Sequence, residues 1–189
     1  AHERTVNGVK GVLFNVWAPK ALSVSVVGEF NKYDGRVHLM ERIEDTGVFE
    51  LFIPGLAAGC GYMYEIKRQG KGTTRKLDPV SRQISSVPII ASVVSDENMP
   101  DSYAWNDGLW MIKRKKEAGK KKPVTVYEVS LTDWLKEKSA DELVDFVKQE
   151  GYTHVCFLPV AEYLNEEMNG YSTLGYFAVT HRIGGSDAF

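Results

Sequence analysis

The fold is decided by residues 123–160, PVTVYEVSLTDWLKEKSADELVDFVKQEGYTHVCFLPV, which predict one strand, one helix and a second strand. Val124–Val129 is a β-branched and aromatic run, which is typical of a strand buried on both faces. Thr153–Leu158 predicts a second buried strand and is followed by a proline. Because a helix separates the two strands, we expect a parallel, right-handed crossover.

The helix between these strands carries its own start and stop signals. Ser139 and Glu142 form a capping box, in which the serine hydroxyl accepts from the amide of Glu142 and the carboxylate accepts from the amide of Ser139. Gly151 supplies the left-handed residue that ends the helix. The side chains at helical spacing, which predict an apolar stripe facing the sheet, are Leu143, Phe146 and Val147.

This strand–helix–strand unit is incomplete by itself. Two parallel strands and one helix leave a sheet edge and a sheet face open, whereas parallel sheets occur with both faces covered. We therefore expect self-association, in which a second copy covers the surface around Val124–Val129 and Val155–Leu158.

The preceding part of the chain has a different pattern. Apolar residues alternate with other residues in several short segments, and turn dipeptides such as Asp34-Gly35 and Thr46-Gly47 separate these segments. This pattern predicts an all-β, antiparallel sandwich of roughly immunoglobulin-like size. The alternating residues include Leu22, Val24 and Val26, then Phe49, Leu51 and Ile53, then Tyr62, Tyr64 and Ile66. The predicted organisation is a β-sandwich over 1–95, a linker over 96–122 and an incomplete α/β segment over 123–189.

The linker is polar and then basic. Its lysine-rich run, residues 113–122, contains Glu117 and no interleaved aromatic residue, so it indicates a solvated linker or helix end and not a nucleic-acid site. Trp105 and Trp110 are expected to pin the linker to one of the two domains.

Composition limits the function classes. The 189 residues are 43% hydrophobic and 25% charged, with 23 basic against 25 acidic residues, which indicates no nucleic-acid or membrane partner. The start Ala1-His2-Glu3-Arg4 does not resemble a signal peptide, so the expected location is cytoplasmic. Cys60 and Cys156 are predicted to be unpaired. The four histidines lack metal-ligand spacing, and neither a metal nor a cofactor is expected.

The order of these segments resembles a known family. GVLFNVWAPKALSVSVVGEFNKYDG (11–35), GVFELFIPGL (47–56), YMYEIK (62–67) and LDP (77–79) resemble the family-48 carbohydrate-binding module of bacterial glycogen branching enzymes. A second set resembles the opening of their alpha-amylase-type (β/α)8 TIM barrel. This set comprises PVTVYEVSLTDW (123–134), ELVDFVKQEGYTHVCFLPVAEY (142–163) and NGYSTLGYFAVTHRIGGSDAF (169–189).

The resemblance implies a 1,4-alpha-glucan branching activity, in which α-1,4-glucan segments are transferred to α-1,6 branch points during glycogen synthesis. In that family the catalytic carboxylates lie on later barrel strands, and a full barrel takes about 250 residues. The chain alone is therefore expected to be inactive and to hold no catalytic residue. The alternative is a non-catalytic glucan-binding or scaffold protein derived from a divergent branching enzyme.

The resemblance also implies substrate-binding residues. Tyr171 matches the family tyrosine that stacks on the sugar at the cleavage subsite, and a packing role is the alternative. Asn169 and Ser172 stand where the family usually has Trp and Gln, and the segment 135–138 is shorter than the family loop. These departures favour the divergent alternative.

In the first module, Tyr33 stands where glycogen-binding relatives carry a stacking Trp, and Asn31 beside it is expected to contact the polysaccharide. A packing role for Tyr33 is the alternative. Arg75 lies near the position of a second family Trp, and Met63 stands where a Lys is usual.

Overall fold

The computed structural model describes residues 1–85, 89–95, 105–119, 122–186 and 189. Its first part contains nine strands in two antiparallel sheets. One sheet has the order β1-β2-β5-β4, and the other has the order β3-β6-β9-β8 with β7 paired to β6. The strands are β1 His2–Val6, β2 Val9–Trp17, β3 Ser23–Gly28, β4 Glu41–Ile43, β5 Val48–Pro54, β6 Gly61–Lys67, β7 Thr73–Lys76, β8 Ile84–Ser85 and β9 Ala91–Val93.

The two sheets share one core, which agrees with the predicted antiparallel sandwich. Alternate residues of both sheets enter it because successive side chains of a strand point to opposite faces. The Tyr64 hydroxyl links the sheets directly, since it donates to the carbonyl of Asn15 over 2.9 Å. The buried core residues include Val12, Phe14 and Val16 of β2, Val24 and Val26 of β3, Phe49 and Ile53 of β5, and Tyr62 and Tyr64 of β6.

A buried carboxylate lies beside this core. Asp78 is 1% exposed, and its Oδ2 accepts hydrogen bonds from the hydroxyls of Tyr62 at 2.6 Å and Tyr64 at 3.4 Å. The amino group of Ala1 lies 3.3 Å from the same oxygen. The amide of Asp78 donates to the Ser92 hydroxyl over 2.8 Å. The carboxylate thus connects two core tyrosines to the segment that follows β7.

The predicted linker contains a helix, α1 Gly108–Glu117. The expectation that tryptophans pin this segment is wrong for the described residues, since Trp105 and Trp110 are 76% and 57% exposed. Instead the Arg114 guanidinium lies over the Trp110 ring at 5.3 Å, so the helix covers part of this ring with its own side chain. Residues 113–116 are exposed, as predicted for a solvated helix end. Residues 96–104 and 120–121 of the linker lie outside the described residues.

The last part contains the predicted strand–helix–strand unit. The strands β10 Val126–Val129 and β11 His154–Phe157 pair in parallel around α3 Ala140–Gln149, with the short helix α2 Leu131–Trp134 after β10. The capping box is confirmed, because the Ser139 amide donates to Glu142 Oε2 over 2.7 Å and the Glu142 amide donates to Ser139 Oγ over 3.2 Å. Gly151 has the left-handed φ of 77° that was expected at the helix end.

The apolar stripe of α3 covers one face of this sheet. Leu143 and Val147 are buried, and the Phe146 ring packs against Tyr127 of β10 at 5.1 Å. The prediction that both strands are buried on both faces is wrong, because Val126 is 53% exposed, and Val155 and Phe157 are 36% and 38% exposed. Val126 lies on the face away from α3, which has no covering layer among the described residues. Val155 and Phe157 lie on the same face as Tyr127 and Val129, where α3 covers β10 more fully than β11.

A small antiparallel sheet follows, formed by β12 Ala161–Tyr163 and β13 Thr173–Val179. It contacts the sandwich at Gly175, where Ile84 of β8 occupies the space that a side chain would need. A short 3-10 turn, His181–Ile183, follows β13 and adds Ile183 to the apolar cluster under α3. None of the described helices combines the length and the apolar character needed to span a membrane.

Candidate functional site

The loop that carries Tyr33 is built on Asn31. The Asn31 Oδ1 accepts from the Gly28 amide over 3.0 Å, and its Nδ2 donates to the carbonyl of Val26 over 2.9 Å. Since Oδ1 is the acceptor, Nδ2 is also the donor toward His38 Nδ1 at 3.0 Å, which places the proton of a neutral His38 on Nε2. The side chain of Asn31 therefore closes the turn from inside.

This placement changes the interpretation of Asn31. The residue is 8% exposed, and both ends of its amide are already hydrogen-bonded within the protein. The predicted direct contact between Asn31 and a glucan is therefore disfavoured, because a bound sugar would compete with these internal hydrogen bonds. The structure favours a positioning role, in which Asn31 fixes the backbone from which Tyr33 projects.

Tyr33 lies on the outer side of this loop and is half-buried. Its φ is 59°, in the left-handed region that non-glycine residues rarely adopt. Its amide donates to the carbonyl of Gly28 over 2.9 Å, which helps hold this conformation. Next to it, hydrogen bonds from the side chain and backbone of Arg36 lower the pKa of Asp34 to about 2. The ring is thus presented by a closely hydrogen-bonded turn.

Arg75 of β7 borders the Tyr33 ring. Its Cζ lies 5.8 Å from the ring centroid, and its Nη2 donates to the carbonyl of Tyr33 over 2.9 Å. Its Nε donates to Glu65 Oε2 of β6 over 3.0 Å. Together these residues form a continuous surface on one edge of the sandwich, with an aromatic ring at its centre and paired charges beside it.

Tyr171 projects from a different loop, between β12 and β13. The preceding residues Asn169 and Gly170 are both left-handed, with φ of 47° and 86°, and the Tyr171 amide donates to the carbonyl of Met168 over 2.9 Å. The carbonyl of Pro159 leaves no room for a side chain at position 170. Tyr171 is 64% exposed, so its ring is not packed into the described part of the chain. It shares neither loop nor sheet with Tyr33.

Beneath this loop lies a buried carboxylate that the sequence reasoning did not identify. Glu162 is 1% exposed. Its Oε2 accepts hydrogen bonds from the amide and the ring Nδ1 of His181, both over 2.9 Å, and its Oε1 accepts one from Nη1 of Arg182 over 2.8 Å. Burial raises the pKa of this carboxyl, but the hydrogen bonds from the backbone and ring of His181 outweigh burial, so the pKa of Glu162 is lowered. The Arg182 guanidinium also lies over the Tyr163 ring at 4.1 Å.

The sequence carried only a weak signal for this cluster. Glu162 is an acidic residue directly after an apolar strand, a position at which an exposed loop residue is equally common. The arginine that compensates its charge is about 20 residues away in the chain. A buried ion pair of this kind is visible only after β12 and β13 have paired.

A cleft of about 270 Å³ opens beside the cluster, between α2 and the turn at residues 166–170. Its two carboxylates have cationic partners: Asp133 pairs with Lys136 at 2.8 Å, and Glu166 lies 3.5 Å from Arg182 Nε. Hydrogen bonds from Lys136 and Ser130 lower the pKa of Asp133. Glu166 and Glu167 are exposed on a short turn. The cleft is lined by Ser130, Thr132, Asp133, Leu135, Lys136, Tyr163, Glu166, Asn169 and Arg182.

These features do not make an acid–base pair. A general acid at neutral pH needs a raised carboxyl pKa, whereas the pKa of Asp133 in the cleft and that of Glu162 beneath it are both lowered. The described residues also hold no group of three side chains suited to a metal ion. What the two loops offer is a pair of partly or fully exposed tyrosine rings, which suit stacking against the C–H face of a sugar.

Comparisons with known proteins show which proteins the chain is similar to. Residues 1–81 match the model of carbohydrate-binding module 48, described as the isoamylase N-terminal domain. The chain is 42% identical over 199 aligned residues to the 1,4-alpha-glucan branching enzyme GlgB of Methylococcus capsulatus, covering 100% of this chain and 26% of that enzyme. It is 44% identical over 197 aligned residues to the GlgB enzyme of Thiobacillus denitrificans, covering 99% of this chain and 26% of that enzyme.

Solved structures show the same fold at lower identity. A putative alpha amylase from Salmonella typhimurium is 22% identical with a TM-score of 0.59, and the match covers 96% of this chain and 28% of the other. The catalytic module of the glycogen-degrading pneumococcal virulence factor SpuA is 21% identical with a TM-score of 0.63, covering 96% and 32%. The chain therefore spans about a quarter of the length of the curated relatives it matches. Residues 1–81 are thus similar to carbohydrate-binding module 48, and the chain over its whole length is similar to about a quarter of the length of the 1,4-alpha-glucan branching enzymes.

Proposed function

We propose that this chain is the amino-terminal, glucan-binding part of a 1,4-alpha-glucan branching enzyme of glycogen synthesis. The observation that carries the proposal is the similarity of about 40% identity to branching enzymes along the entire chain, across both the sandwich and the residues after it. In this proposal residues 1–95 are the carbohydrate-binding module, 96–122 the linker and 123–189 the first segments of the catalytic barrel. The unpaired Cys60 and Cys156 are compatible with the reducing cytoplasm.

The parallel unit of β10, α3 and β11 supports the barrel assignment. A (β/α)8 barrel begins with a strand, a helix and a parallel strand, and the open sheet face with Val126 is the side that further strands would cover. A retaining transglycosylase needs two carboxylates about 5–5.5 Å apart. We assign neither to this chain, since the carboxylates of the cleft and the cluster beneath it are ion-paired. The branching chemistry belongs to the remainder of the enzyme.

The alternative is a non-catalytic glucan-binding or scaffold protein. The loop of Tyr171 favours it, because Asn169 and Ser172 replace the residues that the branching enzyme resemblance leads one to expect there. Branching activity on amylose, measured for the protein extended by a relative's remaining three-quarters, separates the two. Branching activity supports the proposal that the chain is part of a branching enzyme. Glycogen binding without branching activity supports the non-catalytic alternative.

The binding surface is tested by substitution of Tyr33. Tyr33→Ala is expected to weaken glycogen binding roughly five- to thirtyfold, because covering a half-buried aromatic ring contributes about 1–2 kcal/mol. The measurement is retardation in a native gel containing glycogen. Tyr176→Ala is the matched control, since Tyr176 is 80% exposed but lies on β13, outside the module. Equal retardation of wild type and Tyr33→Ala contradicts the proposed surface. Tyr171→Ala in the same gel tests the second proposed contact.

The open sheet face makes a separate prediction about association. We propose that a second copy covers the exposed part of β11 at Val155 and Phe157 and the opposite, open sheet face at Val126 when no further strands do so, because an uncovered parallel pair leaves apolar surface in water. Light scattering is expected to show a dimer or larger species. Val126→Lys on that face is expected to shift the protein toward the monomer, whereas a monomeric wild-type chain with an ordered sheet argues against the proposal.

A further inference from the structure

The guanidinium of Arg75 joins the Tyr33 loop to the sheet beneath it. Arg75 is on β7 and Tyr33 is in the loop after β3, and these two segments are 42 residues apart in the chain. One Nη2 hydrogen bond reaches the Tyr33 carbonyl over 2.9 Å, and the same planar group lies over the Tyr33 ring. The side chain thus contacts both the backbone and the ring of the residue that the proposed function places on the glucan.

Glu65 fixes the other end of this guanidinium. Its carboxylate accepts from Arg75 Nε over 3.0 Å and lies against Gly35, where it leaves no room for a side chain. Glu65, Arg75 and the segment 33–35 therefore contact one another in a closed chain. Tyr33 has a left-handed backbone conformation, which is unfavourable for a non-glycine residue, and these contacts help to stabilise it.

The charges of this group indicate the chemistry of its ligand. The positive charge of Arg75 is balanced by Glu65, so the surface offers no net attraction to a phosphate or an acidic polymer. A guanidinium carries five N–H donors, and the bonds to Glu65 and Tyr33 use two of them. Arg75 is 46% exposed, which leaves the remaining donors accessible to hydroxyl groups. An aromatic face next to unused N–H donors and without net charge suits a neutral polyhydroxylated chain.

We propose that Arg75 is the positioning residue of the glucan surface: it sets the orientation of the Tyr33 ring and adds N–H donors at the edge of a neutral α-glucan. This inference rests on the proposed function, because it requires that Tyr33 contacts the glucan. The role is separate from stability, since an ion pair as exposed as that of Arg75 and Glu65 contributes little to folding.

The test is a double-mutant cycle in which titration calorimetry measures the affinity for maltoheptaose. The four proteins are wild type, Tyr33→Ala, Arg75→Ala and the double variant. Arg75→Ala is expected to weaken binding roughly three- to tenfold, in the range of one cation–π contact plus a hydrogen bond. The effect of Arg75→Ala is expected to be smaller in the Tyr33→Ala background than in wild type, because orienting the ring requires the ring, whereas the N–H donors act without it. Arg75→Lys is expected not to restore binding, because an ammonium cannot bridge the ring, the carbonyl and Glu65 in one plane.

Arg42→Ala is the matched control. The Arg42 guanidinium also lies over an aromatic ring, 5.9 Å from the centroid of Phe49, but on the other sheet of the sandwich. Its removal is expected to leave maltoheptaose affinity unchanged.

Two results distinguish the failures. Tyr33→Ala with wild-type affinity shows that the proposed glucan surface is itself wrong. If Tyr33→Ala weakens binding but the effect of Arg75→Ala is absent, or is additive with that of Tyr33→Ala, the proposed role of Arg75 is wrong. The proposed glucan surface is then still supported. Melting curves of all variants establish that each is folded.

Discussion

Replacing Glu162 with alanine is expected to lower the free energy of unfolding of the carboxy-terminal part by about 3–5 kcal/mol, the usual effect of removing one partner of a buried ion pair. The carboxylate is almost fully buried and compensates Arg182, whose guanidinium is 19% exposed. Without it, the His181 amide loses its acceptor, Arg182 keeps only the exposed Glu166 as a charged partner among the described residues, and the side-chain link from β12 to the turn after β13 is lost. We expect this part to unfold first.

The measurement is urea unfolding followed by circular dichroism. Glu166→Ala is the matched control, because Glu166 also lies near Arg182, at 3.5 Å, but is 72% exposed. Its removal is expected to change the free energy of unfolding by less than about 1 kcal/mol. Glu162→Gln keeps the size of the side chain but replaces one of its two acceptor oxygens by an NH2 donor, so it removes the charge together with the hydrogen bonds accepted by that oxygen. Equal stability of Glu162→Ala and Glu166→Ala would show that the buried pair does not hold this region together.

The same carboxylate gives a pH dependence. Because the pKa of Glu162 is lowered in the folded protein, its contribution to stability is fully present above the unfolded value of about 4.3. That contribution is lost as the pH falls from this value through the lower folded pKa. Glu162→Gln is therefore expected to flatten the stability profile in this acidic range, and an unchanged slope would contradict the assignment.

Replacing Asp78 with alanine is the second large effect, an expected loss of about 3 kcal/mol or more from the sandwich. The Tyr62 hydroxyl donates to its Oδ2, while the single proton of the Tyr64 hydroxyl is shared between the nearer Asn15 carbonyl and this oxygen at 3.4 Å. Burial raises the pKa of both tyrosines, so both remain protonated. Tyr62 is only 1% exposed, so removing the Asp78 carboxylate leaves its buried hydroxyl without the acceptor of its 2.6 Å hydrogen bond. Hydrogen bonds to a charged group contribute about 1.5–3 kcal/mol each.

Thermal and urea unfolding of Asp78→Ala, Asp78→Asn and Asp45→Ala test this expectation. Asn retains an acceptor oxygen and is expected to recover part of the loss. Asp45 is an exposed aspartate of the same module and is the control, with an expected change below about 0.5 kcal/mol. If Asp78→Ala were as stable as Asp45→Ala, the hydrogen bonds of the core tyrosines would not matter to the sandwich.

Much of the fold followed from short patterns in the chain. Alternation of apolar residues predicted β5 and β6, and the spacing of Ser139 and Glu142 predicted the start of α3. Each of these features depends on residues within one or two turns of the backbone, where periodicity and capping chemistry are visible. The exposure of β10 and β11 was not predicted, because burial depends on which layers surround a strand and not on its own side chains.

The candidate site was predicted only in part. Tyr33 and Tyr171 came from a resemblance, and both rings lie at or near the surface. Asn31 was expected on that surface and instead closes the turn beneath it, because its polar amide finds partners in the backbone of β3 and in His38. A polar residue in a turn has the same local pattern whether it faces water or the protein.

By itself the amino-acid sequence determined much of the secondary structure and the similarity to branching enzymes, because these depend on local periodicity and on the order of segments along the chain. Only the tertiary structure decided the contacts of Arg75 with Tyr33, the burial of Asp78 and the pairing of Glu162 with Arg182. Each of those contacts joins residues between 14 and 42 positions apart, counted between the donor and the acceptor. Their energies depend on burial and on atomic distance, which exist only once the strands have paired and the sheets have packed.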